Sequence, residues 1–447
     1  MADQRKRRRQ QATRRRTRLC KEGAYQLVIM AFLLIAALVR QINMLLLIFS
    51  GLTIPMLWNL YFVRASLRDL RFRRRGPEWC TAGDRIVIDV EATNQRKRRT
   101  SWVVVATDHL RLVNPDESQR LLAAKPIEVS TVFARIRPGE TVRESYEGRL
   151  MQRGEYRLGP LIISTRFPLG LFKRSYRVKA PQTLIAHPRP GALTRQWQER
   201  MQRSYHGGVS ISQRQGSMEA EFYGLREYRS GDSKNWIHWK TTARRGEPIV
   251  RQFEQQRNLD VTVVLDLWIP AEPSLRDLER VEIAVSFAAT VIGNQAKRGL
   301  GHLVVSTHRH EPKLLRGFAS QALLREAMTD LALARCSRED HLPMLMRQAL
   351  GQAGTMQGEI VVVSTRANDL KDSDRFSNIA NAANRHDWRG RVNYVDCSRS
   401  DLAQLFELPD MEEHAGEISA SALVPDSAFV TFATRQMTPK QVEEVQR

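Results

Sequence analysis

The residues best equipped for chemistry crowd into one stretch, residues 222–247. Arg226, Arg229, Arg244 and Arg245 share it with Glu227, Asp232 and Glu247, and with Tyr228, Trp236, His238 and Trp239. Guanidinium and carboxylate groups pair through parallel hydrogen bonds, and indole faces attract cations. The composition therefore points to an ion-pair and cation–π cluster. His238, close in sequence to three carboxylates, is the candidate general acid or base. Such catalysis needs a nucleophile or a metal set beside it, and the stretch has neither. The chain also lacks G-x-x-x-x-G-K-[ST] and G-x-S-x-G, so neither a Walker-type ATPase nor an α/β-hydrolase is supported. His308-Arg309-His310 has no partner at ligand spacing and reads as a solvated loop. Cys20, Cys80, Cys336 and Cys397 match no zinc spacing. They could form two disulfides in an oxidising compartment; buried thiols in the cytosol are the expectation. No metal and no cofactor is expected.

Local signals place the stretch on a turn and a helix. Gly231 supplies the turn and Asp232 an N-cap acceptor. Residues 233–245 contain no breaker, and Gly246 and Pro248 end the helix. Downstream the chain alternates. Residues 259–266, 302–307, 359–365 and 392–395 read as strands, and 275–298, 320–335, 342–350, 376–385 and 401–408 as helices. In the first of these helices Leu278, Val281, Val285, Ala288 and Ile292 form one apolar stripe. Such alternation implies βαβ units and a mainly parallel sheet covered on both faces. Residues 429–432 read as an edge strand of that domain, and 438–447 as a charged terminal helix.

Upstream, residues 76–190 have period two. Ile86, Ile88, Val90 and Ala92 alternate with Arg85, Asp89 and Glu91; Val132, Ala134 and Ile136 alternate with Arg135 and Arg137. Residues 102–105 and 161–163 read as buried strands. Short strands at this spacing predict a β-sandwich of immunoglobulin type. The polar residues 191–221 read as a loop. The expected order is a linker and signature stretch over 191–256, then an α/β domain over 257–435.

The net charge of +22 raises the question of nucleic acid, but its distribution answers otherwise. Residues 1–23 carry ten basic and two acidic side chains, and residues 64–75 carry six and one, which together supply +13. These flanks bracket the apolar residues 24–63, broken at Arg40-Gln41-Ile42-Asn43. One span needs ~20 apolar residues, so the region predicts a transmembrane hairpin. Basic outer flanks place both termini and the soluble domains in the cytoplasm, on the inner membrane. Residues 1–23 are expected to be a disordered basic tail that touches anionic lipid. Nucleic acid is not expected as a partner.

Leu225-Arg226-x-Tyr228-x-x-Gly231-Asp232, Ile237-His238-Trp239-Lys240 and Ala243-Arg244 resemble the signature of domain-of-unknown-function family 58, a family of bacterial membrane-anchored proteins. Arg153-Gly154-x-Tyr156-x-Leu158-Gly159-Pro160 and Pro168-Leu169-Gly170-Leu171-Phe172 are similar to that family's lead-in. The resemblance covers most of the chain from the apolar region onward. It assigns no biochemical activity, and it implies work beside a MoxR-type AAA+ ATPase in protein-complex or envelope assembly.

The C-terminal pattern resembles a von Willebrand factor A-like domain. There Asp-x-Ser-x-Ser ends the first strand and Thr-Asp-Gly ends a later one, and their oxygens hold a divalent metal. In this chain Trp268 and Pro270 take the serine positions after Asp266, and Arg366 stands where the later carboxylate would be. The resemblance thus implies the fold; the departures at Trp268, Pro270 and Arg366 imply that the metal is not carried over, and Arg366 is expected to pair with Asp266. Two functions stay in view: a non-enzymatic membrane scaffold, and a hydrolase-like enzyme using residues 222–247. A scaffold should pair and bury the signature charges; an enzyme should offer a concave pocket with an unpaired His238.

Overall fold

The computed structural model describes residues 12–113, 115, 127–201, 221–229, 232, 234–254, 260–299, 301–353, 358–367, 370, 376, 392–398, 402–408 and 432–435. The chain divides into two compact units, Met1–Arg189 with Asp410–Arg447, and Pro190–Pro409.

The first unit opens with strand β1 (Ala12–Leu19) and helices α1 (Lys21–Arg40) and α2 (Asn43–Ser66). Both helices are long and apolar enough to cross a membrane. They turn at Gln41, a left-handed residue, and Gln26 Nε2 donates to the Leu52 carbonyl at 3.1 Å between them. Phe32, Val39 and Leu47, each more than 70 % exposed, present apolar surface outward. The expected disordered tail is corrected over residues 12–19. This segment pairs antiparallel with β10 (Phe172–Val178), Leu19 opposite Phe172. The open edge of that strand satisfies backbone groups that charge repulsion alone would leave in water.

Between them lie β2 (Leu70–Arg75), β3 (Trp79–Thr81), β4 (Arg85–Asn94), β5 (Ser101–Leu112), β6 (Ile127–Ile136), β7 (Thr141–Arg149), β8 (Gly154–Leu158) and β9 (Leu161–Thr165), and β11 (Gln182–His187) follows β10. Among the described residues one sheet runs β1-β10-β9-β5-β8-β11-β3, with β6 also on β5; a second contains β2, β4 and β7. Ile88 and Val90 of β4, Tyr146 of β7, Val104 of β5, Phe133 of β6 and Ile163 of β9 share one core. The alternation expected for β4 holds, with Ile86, Ile88, Val90 and Ala92 buried. In β6 the face is corrected in part: Ile136 is buried as expected, but Val129, Thr131 and Phe133 are buried while Val132 and Ala134 are exposed. Phe133 meets Phe72 edge to face at 5.9 Å, and the larger aromatic wins the core. Likewise, of residues 102–105, Val104 is buried and Val105 half-buried, whereas Trp102 and Val103 are exposed.

The second unit begins earlier than residue 257. β12 (Ala192–Leu193) and helix α3 (195–201) precede β13 (Glu221–Glu227), α4 (Trp239–Arg245) and β14 (Ile249–Glu254). The expected loop over 191–221 is thus partly helix. Trp197 is its anchor, packed edge to face on Phe287 at 5.1 Å. There follow β15 (Val261–Asp266), α5 (Leu275–Arg298), β16 (His302–His308), β17 (Pro312–Phe318), α6 (Gln321–Ala332), α7 (Leu342–Ala353), β18 (Glu359–Ser364), β19 (Val392–Asp396), α8 (Leu402–Leu405) and β20 (Phe406–Glu407). The sheet order is β17-β16-β15-β18-β19, parallel except for the edge strand β17. Val263 and Leu265 bury one face against Phe287 and Ile292 of α5; Val264 and Val362 bury the other against Leu345 and Met346 of α7. Ser274 and Asp277 form a capping box that starts α5, and Gly299 ends it at φ 64°. β21 (Phe432–Arg435) corrects the last strand expectation: it pairs with β7 of the first unit, closing the sheet as β2-β4-β7-β21. The helices expected at 376–385 and 438–447 lie outside the described residues but for Phe376.

One buried carboxyl in this unit is under strain. Glu359 is 4 % exposed and accepts from Asn393 Nδ2 at 3.1 Å, with no partner for Oε1 among the described residues. Burial pushes its carboxyl up to about 8; the Asn393 bond offsets part of this. A raised folded value means the native state holds a proton that the unfolded chain releases near pH 4.5. Stability should therefore fall as pH rises from about 4.5 to 8, by on the order of 5 kcal/mol. Glu359→Gln should flatten that slope and melt higher than the parent at pH 8. Melting of both proteins across pH 5 to 9 checks this; parallel profiles would refute it. Burial also pushes the Cys80 thiol up to about 12, and all four cysteines are unbridged.

Candidate functional site

The signature stretch folds as the β13–β14 hairpin with a helical connection. Asp232 is held by Arg226 through two bonds of 2.7 Å and accepts from the Arg229 amide at 2.9 Å. These bonds hold its carboxyl below the usual range, the Arg226 hydrogen bond first. The expected N-cap role of Asp232 is thereby corrected. Residues Lys234–Trp236 form one 3₁₀ turn, Ile237 bridges to Val250, and α4 begins only at Trp239. His238 is its N-cap, Nδ1 lying 2.7 Å from Thr241 Oγ1 and accepting from the Thr241 amide at 3.3 Å. Asp232 was the better acceptor by residue type, but the Arg226 fork had already engaged it. Gly246 ends α4 at φ 77°, as expected.

Burial of this cluster is corrected as well. Leu225, Trp236, Trp239, Lys240, Ala243 and Arg244 are exposed, Trp236 at 46 % and Trp239 at 68 %. Arg226, Tyr228, Asp232, Ile237 and His238 are half-buried; Gly231 lies outside the described residues. The cations of α4 and the two indoles thus face solvent rather than a core.

A second site lies at the carboxyl ends of the parallel strands. β15 crosses to β16 on one side and pairs with β18 on the other, so the strand order reverses between β15 and β18. Loops diverge at such a point and leave a crevice. Asp266 closes β15 and is 2 % exposed. Its Oδ2 accepts from Ser364 Oγ at 2.8 Å and from Arg366 Nε at 3.1 Å. Arg366 also pairs with Asp340 and stacks over the Trp268 ring at 5.6 Å. Thr365 donates to the Trp268 carbonyl, and Trp268 Nε1 donates to the Arg338 carbonyl at 3.1 Å. The structure thus places Arg366 on Asp266, the pairing expected from the cation that stands at the carboxylate position. Trp268 and Pro270 line a cavity of about 240 Å³ with Asp277, Arg280, Thr365, Arg366, Ala367 and Ser398. Asp340, Arg280 and Ser398 were not foreseen; they sit in loops and a helix distant in sequence, and no spacing rule joins them to Asp266.

The histidine loop differs from expectation too. His308 stacks on His341 with centroids 3.9 Å apart, and burial, then the His341 charge, lowers its basicity. Arg309 and Lys313 both pair with Asp330, the latter at 2.8 Å. Among the described residues no group of three His, Cys, Asp or Glu side chains is placed to hold a metal.

The chain is 26 % identical over 221 residues to the uncharacterized protein YeaD of Bacillus subtilis, covering 49 % of this chain and 52 % of that protein. It therefore spans about half the length of this relative. Among solved structures, the sporulation control protein Spo0M of Bacillus subtilis matches 60 % of this chain and 96 % of its own at 10 % identity, with a TM-score of 0.16. A β-glucosidase of Kluyveromyces marxianus matches 26 % of this chain and 15 % of its own at 12 % identity, also with a TM-score of 0.16. Overlaps this low say nothing of the fold. The family comparison instead falls on both sites at once: residues 224–393, which hold the Arg226–Asp232 fork and the Asp266–Arg366 pair, are a domain of the family described as protein of unknown function DUF58.

Proposed function

We propose that the protein is a membrane-anchored, non-enzymatic scaffold whose signature helix docks a protein partner. In this reading α1 and α2 span the inner membrane and both termini are cytoplasmic. The first unit is an immunoglobulin-like sandwich, and the second is a von Willebrand factor A-like domain whose metal position Arg366 occupies. By the family resemblance the partner is a MoxR-type AAA+ ATPase, engaged in protein-complex or envelope assembly. One observation carries the docking role. Trp236 and Trp239, 46 % and 68 % exposed, stand beside the exposed Lys240, Arg244 and Arg245. Exposed tryptophan and arginine in one short segment are the residue types enriched in interface hot spots, and large exposed aromatics mark interaction surfaces. The competing hydrolase reading places its acid–base work on His238, whose Nδ1 caps α4.

Trp239→Ala should reduce capture of an AAA+ ATPase from membranes by about thirtyfold, the effect of losing one hot-spot residue. Its melting should stay at the parent value, because the side chain packs on little. Capture by the tagged full-length chain and melting of the same preparations check both. If His238→Ala abolishes cellular function while capture and melting stay at parental values, the catalytic reading replaces this one.

A further inference from the structure

We propose that Arg15, Arg64, Arg68 and Arg174 form a binding site for the phosphate of an anionic phospholipid at the base of the α1–α2 hairpin. The inference rests on the membrane reading above and names what the anchor recognises. Three elements bring these side chains together. β1 lies along β10, which places Arg15 over the Tyr176 ring at 6.0 Å. Arg174 of β10 donates from Nη1 to the Arg64 carbonyl at 3.1 Å, tying the strand to the last turn of α2. Arg68 follows one turn later. Arg15, Arg64 and Arg68 are exposed, and Arg174 is half-buried with its Nε lacking a partner among the described residues.

The charges that act on Arg174 are those of Arg15, Arg68 and Arg64, all cationic; after burial, they lower its pKa. Like charges that act on a half-buried guanidinium disfavour it, and an anion bound among them relieves that repulsion. The level of the cluster selects a lipid as that anion. Trp58 and Tyr61, 50 % and 53 % exposed, precede it on α2, and Arg99 lies over the Tyr61 ring at 5.6 Å. Exposed Trp and Tyr at the end of an apolar helix sit at headgroup depth. A cation cluster just beyond them meets the phosphodiester layer, where each arginine adds to the attraction for acidic lipid.

The full-length chain in nanodiscs of equal phosphatidylcholine and phosphatidylglycerol tests this, the lipid retained on release being counted by native mass spectrometry. The parent should retain phosphatidylglycerol over phosphatidylcholine. Arg64→Gln/Arg174→Gln should lower that preference by about fivefold per arginine removed. Arg68→Gln, at an exposed position, should do the same once and covers the case in which the double variant misfolds. Arg71→Gln/Arg73→Gln, on exposed positions of β2, should leave the preference intact. Equal retention of the two lipids by the parent, or equal losses in both double variants, would overturn the proposal. Carbonate washing of membranes separates the two readings. A chain washed off the membrane refutes the anchor, whereas an embedded chain indifferent to headgroup refutes only the phosphate site.

Discussion

Asp108→Ala is expected to destabilise the first unit by about 3–5 kcal/mol, because it strands a buried guanidinium. Asp108 of β5 and Arg74 of β2 have side chains 1 % and 2 % exposed and lie 2.6 Å apart. Tyr146 of β7 donates to the other carboxylate oxygen at 2.7 Å, the His109 amide donates at 2.9 Å, and Arg74 donates onward to the Ala180 carbonyl at 2.9 Å. Burial, then the Asp108 charge, raises the pKa of the Tyr146 phenol, so it remains a donor. The cluster joins the two sheets through the middle of their shared core. Without Asp108, the buried Arg74 guanidinium loses its charged partner and is left with the Ala180 carbonyl among the described residues, and the Tyr146 hydroxyl loses the carboxylate it donates to. Melting of the full chain in detergent should show the first unit's transition lowered by roughly 10 °C. Replacing both partners, as in Arg74→Met/Asp108→Leu, should recover most of the loss, since an apolar pair needs no desolvated charge. An Asp108→Ala protein that melts with the parent would show that the pair is idle.

Neither half of that cluster announced itself in the sequence. Arg74 counted as one more member of a basic flank, and Asp108 lies beyond the residues 102–105 that read as a strand. Pairing between sheets depends on the register of β2, β5 and β7, which no local pattern specifies. The parts that were legible share a physical cause: one buried face repeated over several residues. Ile86 to Ala92 alternate because β4 has a single inward face, and α5 shows its stripe because its whole length covers the sheet. Where a single large residue decides, pattern reading slips. Phe133 displaced Val132 and Ala134 from the core, and Trp197 made a helix-borne anchor of a segment that looked like linker. Long-range edges were equally hidden, since β1 and β21 complete sheets whose other strands lie far away in sequence. In the signature the partners Arg226 and Asp232 were visible by type. Their engagement with each other, which left the cap to His238, is set by geometry that residue type does not reveal.

Arg366→Ala should be as damaging to the second unit as Asp108→Ala is to the first. The Asp266 and Arg366 side chains are 3 % and 14 % exposed, and removing the guanidinium takes from the Asp266 carboxylate its charged donor, beside which the Ser364 hydroxyl also donates. Removing one partner of a buried ion pair costs about 3–5 kcal/mol. Arg366→Lys should fall between parent and alanine variant, because an ammonium keeps the charge but cannot span Asp266 and Asp340 or stack flat on Trp268. Asp266→Asn in the alanine background should restore part of the loss, which a double-mutant cycle on melting would quantify. The same pair governs metal. A divalent ion at this position would have to displace a guanidinium already bonded to Asp266, while Trp268 and Pro270 offer no side-chain oxygen. Titrating the parent with Mg²⁺ in a calorimeter should give no saturable heat. A micromolar isotherm that disappears in Asp266→Asn would mean that Arg366 swings aside and that the crevice is a cation site after all. Identical melting of Arg366→Ala and parent would mean that the ion pair adds nothing to the fold.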